Sequence, residues 1–455
     1  MSLTISPEQI VANSTSPLLA APEDWPRRPL GEIVSLQNGY AFKSKQFVNS
    51  GGTPLIRIRD LYETTTAVSY AGDYDSRYIV RPGALLVGMD GDFNVARWQG
   101  PEALLNQRVC RIDPDHAVVD VDFLARILPG YLHAIHDVTS STTVTHLSSR
   151  DIGRIPVPVP PLAVQRALMA VLTAVDGKAS TARSHLVAAS RDVGRFRNAV
   201  IGAACTGRLT SEWRAQRAVT SAEETLSQLR HEQREREGKR YREPRLPDAS
   251  ILPDIPEKWT WATLPELGEM GRGKSKHRPR NDPALYGGEY PFVQTGDVAR
   301  SDGRIIAHSQ TYNQLGLAQS RLWPEGTVCI TIAANIANSA LLSYPACFPD
   351  SVVGLIVDKD IAVAEYIELF MRTARRNLAA FAPATAQANI NLAVLSELAV
   401  ALPPLEEQYE IVRLTSELFE GAAKVAASLS TAEKRIDRTR ESALAKALRG
   451  QLVGN

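Results

Sequence analysis

Apolar positions recur at spacings of three, four and seven along two long stretches of this chain. In the first they are Leu168, Val171, Val175, Ala182, Leu186 and Val193, and in the second Ile411, Leu414, Leu418, Val425, Leu429 and Ile436. Such spacing makes the seam of a coiled coil rather than the broad face of a surface helix. Each stretch opens on a prolyl pair, Pro160-Pro161 or Pro403-Pro404, and closes on Gly207 or Gly450. Proline fits the first helical turn, where an N–H has no partner anyway, and glycine fits just past a helix end. The pattern therefore predicts two helices of about 44 residues, each ~65 Å long. Equivalent positions lie 243 residues apart at both ends, so one stretch is an ungapped copy of the other. Two matched seams predict that the helices pack on each other.

Short apolar runs between turn residues precede each long helix. Pro54-Leu55-Ile56-Arg57-Ile58-Arg59 alternates as a half-buried strand does, and Arg108-Val109-Cys110-Arg111-Ile112 does the same. Ala84-Leu85-Leu86-Val87 follows the turn Arg81-Pro82-Gly83. Downstream, Pro291-Phe292-Val293 answers Pro54-Leu55-Ile56, Gly326–Ile330 answers Gly83 onward, and Asn335-Ile336-Ala337 answers Asn94-Val95-Ala96. Short helices are expected at Val121–Leu128, Tyr131–His136 and Val363–Phe381. Trp25 and Trp259 mark where the two copies begin. The expected fold is α+β: two mixed α/β globules in tandem, each followed by a long helix.

The resulting division is an N-terminal arm at 1–24, a globule at 25–159 and a long helix at 160–208. A charged connector and linker at 209–258 lead to a second globule at 259–402 and a second long helix at 403–455. Within the connector, Ser221-Ala222-Glu223-Glu224 reads as a capping box opening a solvated helix.

Composition narrows the function classes. With 51 Lys and Arg against 50 Asp and Glu, any contact with a polyanion must come from local patches. Four scattered cysteines contain no CxxC pair, which predicts a reducing compartment and no zinc site. The absence of a long apolar run and of a leader pattern points to the cytoplasm.

Gly268–Ser275 matches the phosphate-binding expression G-x-x-x-x-G-K-[ST]. That motif works only between a buried strand and a helix. Trp259–Leu267 is not a β-branched strand, and Pro279 and Pro283 would break a following helix, so nucleotide binding is not expected. No catalytic constellation and no metal-ligand cluster is apparent.

Basic and polar residues do gather in equivalent places. In the first globule the candidates for DNA contact are Lys43, Arg57, Arg59, Arg77, Arg81, Asn94 and Arg97, with Thr143, Thr145 and His146 from the polar run before the long helix. In the second they are Arg272, Lys274, Lys276, Arg278, Arg280, Gln294, Thr295, Asn335 and Asn338, with Gln387 and Asn389 from the matching polar run. Lys and Arg neutralise phosphates, Arg can also read guanine, and Asn and Gln can read adenine. A duplicated coiled-coil scaffold that binds no DNA is the alternative.

The duplicated order of Trp, strands, polar loop, prolyl pair, Gln and long helix resembles the specificity subunit of Type I restriction–modification systems. Asp151–Gln165 and Leu395–Gln408 carry the resemblance, helped by Phe42-Lys43-Ser44 and Ile56–Leu61. It implies two target-recognition domains, each reading half of a split DNA site, and an antiparallel coiled coil that sets the spacer. It also implies two modification subunits carrying adenine-N6 methyltransferase activity, and restriction subunits that translocate and cleave. S-adenosylmethionine, ATP and magnesium would be held by those partners, and this chain would be non-catalytic and bind no cofactor. The second copy lacks a Phe-Lys-Ser counterpart and has the Arg/Lys-rich loop instead, so the site should be asymmetric.

Overall fold

The computed structural model describes residues 5–139, 146–238, 241, 243–247, 252–277, 279, 281–332, 337–376 and 391–452. Thr143, Thr145, Arg278, Arg280, Asn335, Gln387 and Asn389 lie outside them. Two compact units divide the chain: residues 1–187 with 430–455, and residues 188–429. The division falls inside both long helices, Leu162–Cys205 and Leu405–Leu448, rather than at their starts. Each unit thus holds one globule, the beginning of one long helix and the end of the other.

The first unit is built on an antiparallel four-stranded sheet in the order Val34–Asn38, Val109–Pro114, Leu85–Gly88, Val95–Arg97. Val109 and Cys110 are both fully buried, so this strand is covered on two faces and its alternation is lost. A five-stranded sheet lies beside it, in which Thr53–Ile56 runs parallel to Ala103–Leu105. The alternating segment at 54–59 is not one strand. It stops at Ile56, and Ile58–Asp60 is a single 3-10 turn. The Asp60 carboxylate causes the break by accepting the Arg57 N–H at 2.9 Å. The two expected short helices are one helix, Val121–Thr139, with Pro129 inside it. Its buried face (Phe123, Leu124, Ile127, Leu128, Tyr131, Leu132) continues through the proline, and that burial outweighs the lost N–H.

The second unit repeats the plan. Its main sheet runs Gly268–Arg272, Val352–Val357, Val328–Thr331, Ser339–Leu342, in the same antiparallel order, with Arg304–Ile305 added in parallel. Ala364–Arg376 is the counterpart of Val121–Thr139. Thr260–Thr263, expected not to be a strand, pairs with Ala399–Leu402, as Arg27–Pro29 pairs with Pro156–Pro158. In the connector, Ser221 accepts the Glu223 N–H and opens a helix at Ala222–Glu237. That helix is not wholly solvated, since Ala222 and Leu226 are buried in the core of the second unit.

The prolyl-pair motif has a structural purpose. Gln165 and Gln408 are both fully buried. Gln165 Nε2 donates to the Pro160 and Val118 carbonyls, and its Oε1 accepts the Asp120 N–H at 2.8 Å. Gln408 does the same with the Pro403 and Ile361 carbonyls and the Val363 N–H. Each amide therefore ties the start of a long helix to the turn that opens its globule's own helix. These bonds satisfy backbone groups that would otherwise be buried unpaired, at a cost of about 1–3 kcal/mol each.

Within each unit the two long helices pack antiparallel. In the first, Asp176 accepts from Arg440 at 2.7 Å and pairs with Arg126 at 3.0 Å, and Arg183 pairs with Asp437. In the second, the Arg197 guanidinium lies 4.8 Å from the Phe419 ring centroid. As residue numbers rise along one helix, partner numbers fall along the other. Leu168 and Ile411 are buried in the unit cores, each such side chain contributing roughly 1.5–3 kcal/mol. Val175, Leu186, Val193, Leu414, Leu418, Leu429 and Ile436 are half-buried. Val171 is 37% exposed and Val425 48% exposed; Leu172, Thr415 and Ala422 are buried on the inner face instead. A spacing of seven fits several registers: Leu172 beside Val171 competes for the seam in the first helix, and in the second Thr415 and Ala422 serve as seam residues in place of the larger Val425.

Candidate DNA interface

Loops at one end of each sheet assemble the candidate site. In the first unit the strands end at Asn38, Ile56, Gly88 and Leu105, and one begins at Val109. Backbone hydrogen bonds then lace the loops together. Tyr40 N–H donates to Leu105, Gln107 to Tyr40, Asn106 to Ile56, Met89 to Arg108 and Leu147 to Met89. Gly39 makes this possible, because a Cβ there would stand 2.0 Å from the Asn106 carbonyl oxygen. The same approach recurs in the second unit. Gly273 N–H donates to Val352, as Gly39 N–H does to Val109, and a Cβ on Gly273 would meet the Phe348 oxygen at 2.3 Å.

This laced end carries Lys43, Arg57, Arg59, Arg77, Asn94 and His146. Lys43, Arg59 and Arg77 are exposed. Arg77 pairs with Asp75 at 3.3 Å and lies over the Tyr78 ring. Asn94 Oδ1 accepts from the hydroxyl of Tyr62, which is 68% exposed, at 3.2 Å. His146 and Arg108 both pair with Asp90. Arg81 and Arg97 are not part of it. They sit at the opposite strand ends, Arg81 on Glu102 and Arg97 on Asp122.

In the second unit Arg272, Lys274, Lys276, Gln294, Thr295 and Asn338 come to the equivalent end. Arg272 Nε donates to the Asp350 carbonyl at 2.9 Å. Lys274 and Lys276 are exposed and form no ion pair among the described residues. The loop that carries them is pinned by His277 on Asp282 at 2.8 Å and by Ser320 on the Lys274 carbonyl. The Ala284 N–H first, and His277 second, hold the Asp282 carboxyl below the usual carboxylate range. Gly268–Arg272 is an edge strand, and the first helical turn among the described residues after Lys274 is the 3-10 turn Pro283–Leu285. The glycine of the phosphate-loop expression is thus a close-approach glycine of the sheet end.

Asn94 does not correspond to Asn335. Gly88 N–H donates to Asn94 O at 2.8 Å, and Thr331 N–H donates to Asn338 O at 2.9 Å. Asn338 is therefore the counterpart. The residue before each asparagine, Phe93 (φ 50°) or Ala337 (φ 57°), has left-handed backbone that non-glycine residues rarely adopt. Strain at the same turn in both units marks a conformation that the fold enforces. Each turn also borders a cleft against the end of a long helix. In the first unit this is about 360 Å³ and includes Asn94, Pro129 and Leu444. In the second it is about 490 Å³ and includes Asn338, Arg372 and Ile201.

Several residues of the laced end escape a reading by residue type. Tyr40 is 49% exposed, with its ring 5.2 Å from Tyr78. Arg108 and the buried carboxylates Asp60 and Asp297 are others. A signal for the last two existed: extending the match of Pro54-Leu55-Ile56 with Pro291-Phe292-Val293 by four residues reaches both aspartates.

A duplicated α+β chain with laced, basic loop ends and paired long helices defines a class of tandem recognition proteins. Residues 22–185 and 256–424 match the family model described as the Type I restriction modification DNA specificity domain. The chain is 30% identical to the Type I restriction enzyme EcoBI specificity subunit of Escherichia coli over 473 residues, covering 100% of this chain and 91% of that one. With the EcoDI specificity subunit of Escherichia coli the identity is 25% over 446 residues, covering 95% and 89%. The solved HsdS subunit from Thermoanaerobacter tengcongensis shares the fold at a TM-score of 0.53 and 17% identity, covering 95% of this chain and 98% of that one. A chain from a structural study of complex assembly and conformational transition in the type I R-M system gives 0.65 at 17% identity, covering 95% and 99%. This chain belongs to the Type I restriction–modification specificity subunit family.

Proposed function

We propose that this chain is the non-catalytic, DNA-reading subunit of a Type I restriction–modification complex. Its target-recognition domains, 25–159 and 259–402, each read one half of a bipartite, asymmetric duplex site. The observation that carries this is the repeated loop end: one backbone scaffold, laced by equivalent hydrogen bonds, with different side chains at its tip. Exposed Lys43, Lys274 and Lys276 would neutralise phosphates and set register, while base edges would be read from the same loops. The long helices would fix the spacer and dock two modification subunits, which bring S-adenosylmethionine. Restriction subunits would add ATP and magnesium. The complex would work in the cytoplasm, where its DNA is; no helix among the described residues is long and apolar enough to cross a membrane.

Co-expression with the modification subunit followed by methylome sequencing tests this. One split motif with adenine methylated on both strands is expected. An assembled, active complex that methylates no such motif refutes it. Binding of the complex to duplex DNA should also weaken steeply with salt, as phosphate-led binding does.

A further inference from the structure

The two units hold one further equivalence, at the turn that follows Ile56 in the first and Val293 in the second. The sequences are Ile56-Arg57-Ile58-Arg59-Asp60-Leu61 and Val293-Gln294-Thr295-Gly296-Asp297-Val298. The first residue and the last two keep their character. Ile56, Leu61, Val293 and Val298 are buried in their cores, and Asp60 and Asp297 are only 3% and 5% exposed. The three residues between them share no chemistry.

The turn opens in the same way in both units, although it continues as the 3-10 turn Ile58–Asp60 in the first and as the short helix Thr295–Arg300 in the second. Arg57 has φ −113° and ψ 169°, and Gln294 has φ −102° and ψ 168°. Asp60 accepts the Arg57 N–H at 2.9 Å, and Asp297 accepts the Gln294 N–H at 2.9 Å. In return the Asp60 and Asp297 N–H groups donate to the Arg57 and Gln294 carbonyls at 2.8 and 3.0 Å. A buried carboxylate bonded to backbone on both sides of a turn fixes where that turn's first side chain leaves the chain. Neither carboxylate is spare: Asp60 also accepts from Ala67 N–H, and Asp297 from Ser309 and Arg300. So the pair position a side chain and do not themselves face a ligand.

Each positioned side chain has one side-chain partner. Arg57 forms an ion pair with Asp60, its buried Nε 3.7 Å away without a hydrogen bond, and its side chain is 24% exposed. Gln294 Nε2 donates to Gln310 Oε1 at 2.6 Å, on an exposed surface. Arginine offers two parallel donors that match guanine O6 and N7, and glutamine offers a donor and an acceptor that match adenine N6 and N7. An aspartate-anchored position that keeps its scaffold and exchanges one bidentate reader for another is what two domains with different half-sites require.

We propose that Arg57 and Gln294 are the equivalent specificity-determining positions of the two domains, Arg57 reading a guanine and Gln294 an adenine, with Asp60 and Asp297 as their positioning residues. This rests on the DNA-reading function proposed above. The test uses the full chain co-expressed with its modification subunit, with the methylated motif as readout. Arg57→Gln should change or relax one base in one half-site and leave the other half and the spacer intact. Gln294→Arg should do so at one base in the other half. Arg57→Lys keeps the charge but loses the bidentate fork, and should relax the same base by roughly tenfold or more. Asp60→Asn should relax that base too, without altering the rest of the motif.

A motif unchanged in both Arg57→Gln and Gln294→Arg overturns the proposal. If Arg57→Gln abolishes methylation, competition binding of the purified complex to duplexes substituted at each base decides. Loss of discrimination at one guanine supports the assignment. Equal weakening on all duplexes makes Arg57 a phosphate contact and overturns it. A wild-type complex that methylates no split motif fails at the level of the DNA-reading function itself, which these variants do not address.

Discussion

The two units set the same architecture against different detail, and the detail falls in two places. At the laced loop end, Arg57-Ile58-Arg59 of the first unit corresponds to Gln294-Thr295-Gly296 of the second, and Tyr40 corresponds to Lys274. At the opposite end, where the long helix starts, Val164 of the first unit is replaced by Glu407 in the second. Glu407 is fully buried and accepts from Trp259 Nε1 at 3.0 Å, from Thr210 Oγ1 at 2.7 Å and from Arg214. Thr210 and Arg214 belong to the connector. The second unit therefore uses a buried ion pair to seat the connector that runs within it from the end of the first long helix to its globule. By contrast, Gln165 and Gln408 make the same bonds in both. Shared positions hold the scaffold, and unshared ones either include the proposed base readers or serve a connection that only one copy has.

Breaking the unshared brace should have the largest effect. Glu407→Ala leaves Arg214, half-buried or deeper, without its partner, together with an unpaired indole N–H. It should destabilise the second unit by about 3–5 kcal/mol. Hydrogen exchange would show the loss between Trp259 and Leu402, with the strands of the first unit unchanged. Equal loss in both units would mean that Glu407 is not specific to the connector.

Breaking the shared clamp should have a smaller, symmetric effect. Gln165→Leu and Gln408→Leu each strand two buried carbonyls and one buried N–H, and each should cost about 2–3 kcal/mol after local relaxation. Chemical denaturation of the two variants should give similar losses. A difference of more than about 1.4 kcal/mol, tenfold in the equilibrium constant, would show that the clamps are not equivalent.

Much of this architecture was legible in the residues. The prolyl pairs, closing glycines and seven-residue spacing marked both long helices, because helix caps and seams are local patterns. The repeat itself survived because the helices carry no insertion between copies. Within the globules the offset drifts, from 234 at Trp25 and Trp259, to 237 at Leu55 and Phe292, to 244 at Asn94 and Asn338. Asn94-Val95-Ala96 and Asn335-Ile336-Ala337 look alike by letter, yet hydrogen bonding places Asn94 opposite Asn338. Only the strand register exposes such a drift. Arg81 and Arg97 show a second limit. Charge alone does not tell which end of a strand a residue occupies, and both are spent on nearby carboxylates. Asp60 shows a third. A single aspartate can end a strand that alternation would have continued, and its effect is visible only once its backbone partners are known.

The central claim is that the two globules read independent halves of one DNA site. Replacing residues 259–402 with the corresponding segment of a related specificity subunit, then sequencing the methylome of cells that also make the modification subunit, tests it most directly. One half of the methylated motif should change while the other half and the spacer stay as they were. A motif in which both halves change, or neither does, would contradict it.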